Sequence, residues 1–508
     1  MSQVKQIRRA LISVYHKEPS RRFIETLHSL GVIMISTGGT LDYIRSLGLL
    51  AIDVGQITGF PEMLSGRVKT LHPAIFGGIL ARRHLPVDLL QLKHHGIEPI
   101  DLVVVDLYPF ADTVAQSSND KEILEKIDIG GISLIRAAAK NYCDVLVVPA
   151  QQYFDEAIAL LLEQSANSTI EQRKKFAAAA FRVSSSYDYA IGNYLHEGEA
   201  QGHFRLEFSE FTPLRYGENP HQAGGFYGNL QKYITQLHGK ELSYNNLVDV
   251  EAALGLIAEF SEPAFAVIKH NNACGFGVDL HIYRAMEKAL NGDLLSIFGG
   301  ILVSNRAVTV EMANRLKDMF FEVLVAPAFH QDSLLICMGK RNRILLINKQ
   351  VYRPQRVFRQ LFDGVLEQTA DNVDNNPDNW QFVTFAKANQ SQITDLVTAN
   401  RIVKHLKSNA IAVVKDGMLL GAGAGQTSRI DAVQISLSKP LQFGHELNGA
   451  VLASDAFFPF ADWVDAAQKA GISAVVQPGG SVRDAESIEK CDQAGIAMAF
   501  TGLRHFRH

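Results

Sequence analysis

The sequence predicts an α/β protein with more than one domain. Through residues 1–150, helical stretches alternate with apolar runs, namely ALISVY (10–15), VIMIS (32–36), LLAIDV (49–54), DLVVVDLYPF (101–110) and DVLVVPA (144–150). Strands that are buried on both faces and separated by helices are typical of a parallel sheet. A chain of 508 residues is also too long for one hydrophobic core, so we expect two to four domains.

A change of character near residue 200 divides the chain. Residues 153–196 are predicted to be helical, whereas residues 196–220 are polar, rich in turn formers and without helical periodicity. We therefore expect one domain over residues 1–199 and a second region over residues 200–508. That second region again mixes strands and helices and is long enough for two packed α/β subdomains, although its sequence shows no convincing repeat.

Composition argues against several classes of protein. The net charge is −4 and there is no long basic run, so neither non-specific nucleic-acid binding nor a membrane-surface role is predicted. The four cysteines are far apart and form no CxxC pair, which argues against a disulfide framework or a thiolate zinc site and favours a reducing compartment. No apolar run approaches the roughly 20 residues that span a bilayer, so we expect a cytoplasmic protein.

Two segments of the first domain are suited to bind an anion. STGGT (36–40) lies between a predicted strand and a predicted helix, where glycines admit a ligand to the backbone and helix amides attract phosphate. A helix cap with a tight turn explains these residues equally well. GRVKTLHP (66–73) brings Arg67, Lys69 and Thr70 into one segment, for which a charged surface loop is the alternative.

Three further side chains of this domain are candidates for the same site. Tyr108 follows a buried strand, at the sheet edge where α/β folds bind ligands. Asp128 precedes a glycine pair, and Lys140 lies on the alanine-rich helix that follows. Taken singly, Asp128 is a helix cap and Lys140 a solvated lysine. Together with Lys69 they would form a cationic, hydrogen-bonding site for an anionic substrate.

The second region holds four polar or glycine-rich segments. LRYGENPHQ (214–222) is dense in polar side chains without regular periodicity, which favours a binding loop over a surface loop. GAGAGQTSRI (421–430) is a candidate phosphate cradle or a flexible turn. SDAFFPFADWVD (454–465) is read more simply as core aromatics with capping aspartates. PGGS (478–481) is a turn with a helix cap, or an anion site.

The segment VIKHNNACGFGV (267–278) delivers a lysine and a histidine from the end of a buried strand. A metal site is disfavoured because His270 has no HxxxH or HxH partner nearby. In a regular strand Lys269 and His270 would point to opposite faces, but at a strand end both side chains can enter one cleft. We therefore interpret them as an acid/base pair, with His270 as the base and Lys269 as the stabiliser of charge.

Taken in order, these motifs resemble a known family. They are SVYHK (13–17), STGGT, GRVKTLHP, DLYPF (106–110), IDIGG with RAAAKN (127–141), LRYGENPHQ, IKHNNACG (268–275), GAGAGQTSRI, SDAFFPF (454–460) and LRHF (503–506). The family is the bifunctional purine biosynthesis proteins, which combine 5-aminoimidazole-4-carboxamide ribonucleotide (AICAR) formyltransferase with IMP cyclohydrolase. The resemblance implies a methylglyoxal-synthase-like parallel α/β domain, followed by two cytidine-deaminase-like α/β subdomains without the deaminase zinc.

The resemblance implies formyl transfer from 10-formyltetrahydrofolate to AICAR in the second region. His270 would accept the proton of the attacking amine, and Lys269 would stabilise the developing charge and help protonate the leaving nitrogen. The residues implied to bind AICAR are Arg215, Tyr216, Gly299, Glu322, Asn409, Arg429, Phe457 and Arg504, with Ile430, Asp462 and Ser481 on the folate side. Transferase sites of this family form across a homodimer interface, so a homodimer is implied. Folate is a co-substrate, and no metal or redox cofactor is required.

The resemblance assigns ring closure of formyl-AICAR to IMP to the first domain. Lys140 would be the general acid/base, with Lys69, Tyr108 and Asp128 positioning the substrate and stabilising charge. Nucleotide binding is implied for Lys17, Thr37, Gly38, Gly39, Thr40, Arg67 and Thr70.

The first domain departs from the family pattern at Tyr15, His16, Phe76, Asp106 and Tyr142. Tyr15 and His16 stand for a Ser-Asp pair that borders the substrate, and Asp106 puts a carboxylate where an amide is usual. An alternative is therefore a formyltransferase whose first domain binds a nucleotide with impaired turnover. A non-catalytic nucleotide sensor is a third hypothesis, but it would have no use for the Lys269–His270 pair.

Overall fold

The computed structural model describes residues 4–196, 204–208, 210–374 and 376–508, which fall into two compact units. The first unit is Met1–Arg205 and the second is Leu206–His508. The predicted boundary between residues 199 and 200 lies outside the described residues. Each unit has its own hydrophobic core and is described by itself.

The first unit is built on a parallel sheet covered by helices. Its strands are β1 (Lys5–Gln6), β2 (Arg9–Val14), β3 (Ile33–Ser36), β4 (Ile52–Asp53), β5 (Leu102–Asp106), β6 (Leu146–Val148) and β7 (Asn167–Ser168). Its helices are α1 (Arg21–Ser29), α2 (Gly38–Ser46), α3 (Val54–Thr58), α4 (Pro73–Leu80), α5 (Pro86–His94), α6 (Phe110–Gln116), α7 (Asp120–Leu124), α8 (Gly130–Lys140), α9 (Phe154–Glu163) and α10 (Ile170–Leu195). The strands β4-β3-β2-β5-β6 lie in that order with parallel pairing throughout, which confirms the predicted α/β class.

Burial explains why the strand predictions hold in the middle of this sheet and fail at its edge. Leu102, Val103 and Val104 of β5 are all fully buried, because helices cover both faces. In the apolar run LLAIDV only Ile52 and Asp53 pair as a strand, and Leu50 is exposed. The helical prediction over residues 153–196 is interrupted by a turn and the short strand β7.

The second unit is built on one large mixed sheet. Its strands are β8 (Phe211–Leu214), β9 (Gly224–Tyr227), β10 (Ile234–His238), β11 (Ala264–Lys269), β12 (Asn272–Val278), β13 (Ile301–Ser304), β14 (Val323–Ala326), β15 (Ile344–Asn348), β16 (Arg356–Leu361), β17 (Gly364–Thr369), β18 (Gln381–Phe382), β19 (Ile411–Lys415), β20 (Met418–Gly423), β21 (Val451–Ser454), β22 (Ala474–Gln477) and β23 (Ala497–Phe500). Its helices are α11 (Tyr244–Ile257), α12 (Ile282–Asn291), α13 (Val310–Leu316), α14 (Gln331–Cys337), α15 (Gln390–Lys404), α16 (Arg429–Gln442), α17 (Asp462–Ala470) and α18 (Asp484–Ala494). Within the described residues the strand order is β10-β15-β14-β13-β11-β12-β20-β19-β21-β22-β23-β18.

This sheet contains the same structure twice. From α11 to β15 the chain runs helix, hairpin, helix, strand, helix, strand, helix, strand, and from α15 to β23 it repeats that order. The two halves join where β12 pairs with β20. The repeat that the sequence did not reveal is therefore present in the fold, as expected for two related α/β subdomains.

The two central hairpins are held by the same device. In the first, the carboxylate of Asp249 on α11 accepts hydrogen bonds from the backbone N–H groups of His270 (3.3 Å) and Asn271 (2.7 Å). In the second, Asp395 on α15 accepts from Asp416 (2.8 Å) and Gly417 (2.7 Å). Both turns have positive φ at these residues, so each aspartate fixes a tight left-handed turn.

Glycines of the second hairpin strand serve helix packing. A Cβ on Gly421 or Gly423 would overlap the carbonyl oxygens of Ser436 and Ala432 on α16, so only glycine admits this close approach. The GAGAG run therefore lies largely in β20, against the interpretation of its glycines as a phosphate cradle. Only its last glycine, Gly425, lies beyond the strand with positive φ.

Glu259 links the two halves and gives the stability of this unit a pH dependence. Its Oε1 lies 3.0 Å from both His405 Nε2 and Lys404 Nζ. Burial disfavours the charged carboxylate, but His405 and Lys404 outweigh burial and lower the pKa of Glu259 from 4.5 to about 2. Because the pKa is lower in the folded state, this stabilisation is present above pH 4.5 and is lost as the pH falls towards 2.

When the pH falls from about 5.5 to 3.5, the free energy of unfolding should fall in both proteins. We expect the fall to be about 1 kcal/mol smaller in the Glu259→Gln variant than in the wild type. Urea unfolding followed by tryptophan fluorescence measures this, since Trp380 and Trp463, the two tryptophans of the chain, both lie in the second unit. The exposed Glu262→Gln is the matched control and should follow the wild type. Parallel curves for the wild type and Glu259→Gln would contradict the assignment.

None of the helices in the described part of the chain is both long and apolar enough to cross a membrane.

Candidate functional sites

Two lysines lie at the N-terminus of α2 in the first unit. Lys17 Nζ donates to Thr40 Oγ1 (3.3 Å) and to the carbonyl oxygen of Val14. Lys69 Nζ lies 2.9 Å from the point where a Cβ would stand on Gly38, whose φ is +51°. Two ammonium groups thus lie at the N-terminus of α2, an arrangement suited to a phosphate.

Burial and the proximity of two positive charges determine the pKa of Lys17 in this cluster. The pKa of Lys17 is lowered by burial and by Lys69, against the opposing effect of Asp106. Lys69 pairs with Glu62, whose Oε2 lies at 3.0 Å. An incoming dianion would replace Glu62 as the partner of Lys69 and relieve the repulsion between the two ammonium groups.

Of the remaining nucleotide-binding candidates of this unit, Thr37, Gly39 and Thr40 lie at the N-terminus of α2, whereas Thr70 lies beside Gly130 of α8. Thr37 is the N-cap of α2, and the hydroxyl of Thr40 is buried against Val14. A Cβ on Gly39 would lie 3.7 Å from Lys17 Cε, and a Cβ on Gly130 would lie 3.2 Å from the buried Thr70 Oγ1. Arg67 is ion-paired with Glu125, and both side chains are exposed.

Aromatic rings and charges lie beside this cluster, at the carboxyl ends of β2 and β5. Tyr15 and Tyr108 meet edge to face at 5.2 Å, and Lys126 Nζ lies 5.0 Å from the centre of the Tyr15 ring. His16 Nδ1 lies 2.7 Å from Asp106 Oδ2, which also accepts the backbone N–H of His16 at 2.9 Å. The three residues that depart from the family pattern here are therefore in contact, because His16 touches both Tyr15 and Asp106.

Asp128 and Lys140 lie at opposite ends of α8. The Asp128 carboxylate accepts the N–H of Gly131 at 2.5 Å, and burial raises the pKa of Asp128 although backbone N–H groups oppose the shift. Lys140 ends the helix, about 15 Å along its axis from Gly130 at 1.5 Å per residue. Lys140 instead lines an apolar cavity of ≈ 620 Å³ with Phe76 and Tyr142. Within one chain, the structure does not bring Lys140 to Asp128.

In the second unit, Lys269 and His270 line one cavity of ≈ 250 Å³ at the end of β11. His270 has φ +52°, so the chain leaves strand geometry between the two residues. Lys269 Nζ donates to the carbonyl oxygen of Phe298 at 2.8 Å. The turn held by Asp249 thus presents the lysine and the histidine to the same space, the arrangement that an acid/base pair requires.

The wall of this cavity contains groups that sequence reasoning missed. Asp293 is buried and pairs with Lys439. The bonds from Lys439 and Ser296 lower the pKa of Asp293, against the effect of burial. Cys274 also lines the cavity, and burial raises the pKa of its thiol to about 12, which disfavours the nucleophilic thiolate at neutral pH.

Gly299 and Glu322 lie at the edge from which Lys269 projects. Gly299 follows the Phe298 carbonyl that Lys269 contacts, and its N–H donates to Phe320 at 3.0 Å. Glu322 accepts from Asn246 Nδ2 at 3.0 Å and pairs with Lys240 at 3.3 Å. Arg215 stacks on Tyr216, with its guanidinium 4.6 Å from the ring centre.

A second cluster, formed around Arg429, lies in the other half of the sheet. Arg429 donates to the buried Asp455 and, at 2.8 Å, to Ser454 Oγ. Its second amino group donates to Asn409 Oδ1 at 2.7 Å, and Ser408 Oγ donates to Asp455 at 2.6 Å. Arg429 therefore forms a buried ion pair with Asp455, and its remaining bonds fix the position of the guanidinium.

The other predicted residues of this half occupy the loops after its strands. Phe457 is partly exposed after β21, and Arg504 stacks on Phe506 with its guanidinium 4.5 Å from the ring centre. Ile430 and Asp462 stand in the first turns of α16 and α17, and Ser481 precedes α18 with its N–H donated to Asp484. These positions share the carboxyl edge of the parallel strands, where ligands bind in α/β sheets.

Across the described residues, no three His, Cys, Asp or Glu side chains come together as a metal site would need.

Fold and sites together define a two-part enzyme, with an anion site in an α/β unit and a Lys–His pair in a duplicated unit. Residues 138–439 match the model of the AICARFT/IMPCHase bienzyme family, and residues 21–133 match the MGS-like domain. The chain is 49% identical over 509 residues to the bifunctional purine biosynthesis protein PurH of Bacteroides thetaiotaomicron, covering 100% of both chains. Identity to the PurH proteins of Chloroflexus aurantiacus and Thermoanaerobacter sp. is 45% and 44%, again over at least 98% of each chain.

The chain therefore belongs to the AICARFT/IMPCHase bienzyme family, and it is a bifunctional enzyme of purine biosynthesis. The predicted resemblance and the methylglyoxal-synthase-like character of the first unit are both confirmed.

Proposed function

We propose that the second unit transfers the formyl group of 10-formyltetrahydrofolate to AICAR, and that the first unit closes formyl-AICAR to IMP. The observation that carries the first step is the shared cavity of Lys269 and His270 at the clamped turn. A non-catalytic sensor would not need this pair. The lysine pair at α2 supports the second step, since formyl-AICAR and IMP both carry a phosphate.

In the proposed transfer, the exocyclic amine of AICAR attacks the formyl carbon and loses a proton to the His270 imidazole. Lys269 stabilises the negative charge that develops on the formyl oxygen, because an ammonium in a cavity acts more strongly than in bulk water. Collapse of this intermediate releases the folate nitrogen, which takes up a proton. We assign Arg215, Tyr216, Gly299, Glu322, Asn409, Arg429, Phe457 and Arg504 to the AICAR side and Ile430, Asp462 and Ser481 to the folate side.

The ring closure is intramolecular, so holding the carboxamide nitrogen against the formyl carbon supplies much of the acceleration. We assign the phosphate to Lys17, Lys69 and the N-terminus of α2. Asp128, with its raised pKa, and Tyr108 lie next to this site and are suited to exchange protons with the substrate. We assign the general acid/base role to Lys140, which within one chain lies at the opposite end of α8 from Asp128.

We also propose a cytoplasmic homodimer that uses the folate as a co-substrate and requires neither a metal nor a redox cofactor. The homodimer is supported by the family resemblance, in which the transferase sites form across a dimer interface.

A product assay tests both steps. Purified protein is supplied with AICAR and 10-formyltetrahydrofolate, and formyl-AICAR is separated from IMP by chromatography. IMP as the final product supports both activities. Accumulation of formyl-AICAR would leave only the transferase, and the absence of any folate-dependent product would refute the proposal for the second unit.

We expect Lys69→Gln to raise the KM for formyl-AICAR about 10- to 100-fold, because it removes one charge-assisted bond to the phosphate. The rate of IMP formation from formyl-AICAR, measured over a range of substrate concentrations, gives this value. Lys93→Gln, on the exposed last turn of α5, is the matched control. Equal KM values for Lys69→Gln and the wild type would place the phosphate elsewhere.

A further inference from the structure

The turn that bears His270 contains an asparagine to which no role has been assigned. Asn272 begins β12 and lines the cavity that Lys269 and His270 share. Its Nδ2 donates to the backbone carbonyl oxygen of His270 at 2.9 Å, and its Oδ1 accepts the backbone N–H of Lys407 at 2.9 Å. One partner is an acceptor and the other a donor, so the two bonds together require a side chain that both donates and accepts.

Side chains hold the backbone of His270 from both sides. Asp249 accepts its N–H at 3.3 Å, and Asn272 donates to its carbonyl oxygen. His270 has φ +52°, in a region that residues with a Cβ seldom occupy. Because both flanking peptide groups are fixed, the direction of the Cα–Cβ bond is fixed too, and only the side-chain torsions of the imidazole remain free.

The far end of this bridge is itself held in place. Lys407 lies in the other half of the sheet, 135 residues from Asn272 along the chain. Its backbone carbonyl oxygen accepts the N–H of Gly425 at 2.7 Å, so the segment that receives the amide is bonded on both sides of one residue. A single amide therefore ties the turn of His270 to a fixed point in the other half of the unit.

The matching turn of the second half forms without this amide. Lys269 lies opposite Asn272 in the first hairpin, and Lys415 lies opposite Met418 in the second. The thioether of methionine has no hydrogen to donate, so Met418 cannot hold the carbonyl group of its own turn as Asn272 does. The amide is thus an addition to the first turn and is not required for a turn of this kind.

We propose that Asn272 is a positioning residue of formyl transfer, which holds the turn so that the His270 imidazole meets the attacking amine. This inference rests on the proposed transferase function. Asn272 exchanges no proton itself. It acts through the geometry in which the bound amine meets the base, where a displacement of about 1 Å can cost about 10²-fold in rate. Its effect therefore falls on kcat more than on KM.

The test transfers the residue of the second turn into the first. We expect Asn272→Met to lower kcat for formyl transfer about 10- to 100-fold, with a smaller change in the KM for AICAR. The pH dependence of kcat should keep its position, because the base remains the same imidazole. Met418→Leu, at the matching place of the second turn, is the matched control and should keep wild-type values.

A second variant separates the two bonds of the amide. Asn272→Asp has nearly the same shape and can still accept the N–H of Lys407, but it has no N–H for the carbonyl oxygen of His270. We expect it to lower kcat as well. Urea unfolding followed by tryptophan fluorescence shows that each variant is folded, and Asn272→Asp provides the test if Asn272→Met does not fold.

A double variant distinguishes positioning from a merely structural role. In His270→Asn the base is already absent, so adding Asn272→Met should lower the residual rate of transfer no further. A further fall of about 10-fold would show that Asn272 acts independently of His270 and would overturn the inference. Single-turnover measurements at high enzyme concentration give these low rates.

Two other outcomes have separate meanings. Wild-type kcat in both Asn272→Met and Asn272→Asp would overturn the positioning role and leave the transferase function standing. A wild-type protein that forms no folate-dependent product would overturn this inference together with the proposed function of the second unit.

Discussion

Replacing His270 is expected to abolish formyl transfer. The His270→Ala variant should lose about 10²- to 10⁴-fold in kcat, because the weakly basic amine of AICAR must shed its proton as it attacks and we propose His270, which lines the cavity, as the base. Ring closure of supplied formyl-AICAR should be unchanged, since we assign that activity to the first unit and His270 lies in the second. Chromatographic assays of both half-reactions on one preparation give the comparison.

Two further variants separate chemistry from backbone geometry at this turn. His270 has positive φ, a conformation that asparagine tolerates better than alanine. His270→Asn therefore retains the turn and should be as inactive as His270→Ala, whereas the exposed His281→Ala should keep full activity. Wild-type transfer rates in His270→Asn would show that the turn, and not the imidazole, is what the reaction needs.

The largest expected effect on stability is at Arg429. Asp455 is fully buried and Arg429 nearly so, and the pair is extended by Ser408, Ser454 and Asn409. Removing the guanidinium leaves a buried carboxylate without its counter-charge, so Arg429→Ala should destabilise the second unit by about 3–5 kcal/mol. Urea unfolding followed by tryptophan fluorescence reports this unit alone, since both tryptophans lie in it.

The matched control for Arg429 is Arg483→Ala. Arg483 is half exposed and lies 3.8 Å from Glu486, so its loss should cost about 0–1 kcal/mol. An Arg429→Ala variant that unfolds at the same urea concentration as Arg483→Ala would contradict the structural role of the buried pair. In that case Arg429 would serve to bind the substrate and would not stabilise the fold.

The sequence predicted those features that local pattern determines. Buried strands such as β5 are visible because both faces are apolar, and Lys269 with His270 is visible because a strand ends there. The polar segments that bear Lys69 and Thr37 were also identified. Each of these signals lies within a few neighbouring residues.

Contacts between distant parts of the chain were not predictable. The Asp249 clamp joins residues more than 20 positions apart, and the His16–Asp106 pair spans 90. The motif places Lys140 in the same segment as Asp128. The two residues lie at opposite ends of α8, so the length of this helix separates them within one chain. The duplication of the second unit escaped detection because topology is retained where side chains differ.

A comparison of the two hairpin turns separates what the fold requires from what the proposed reaction requires. Asp249 and Asp395 meet the same steric demand, yet one turn bears Lys269 and His270 while the other bears Lys415 and Asp416 at the matching places. Only the first of these pairs faces the cavity. The second turn thus shows that a turn of this kind forms without a histidine at the position of His270. The residues in which the first turn differs from the second are therefore those that we assign to the reaction.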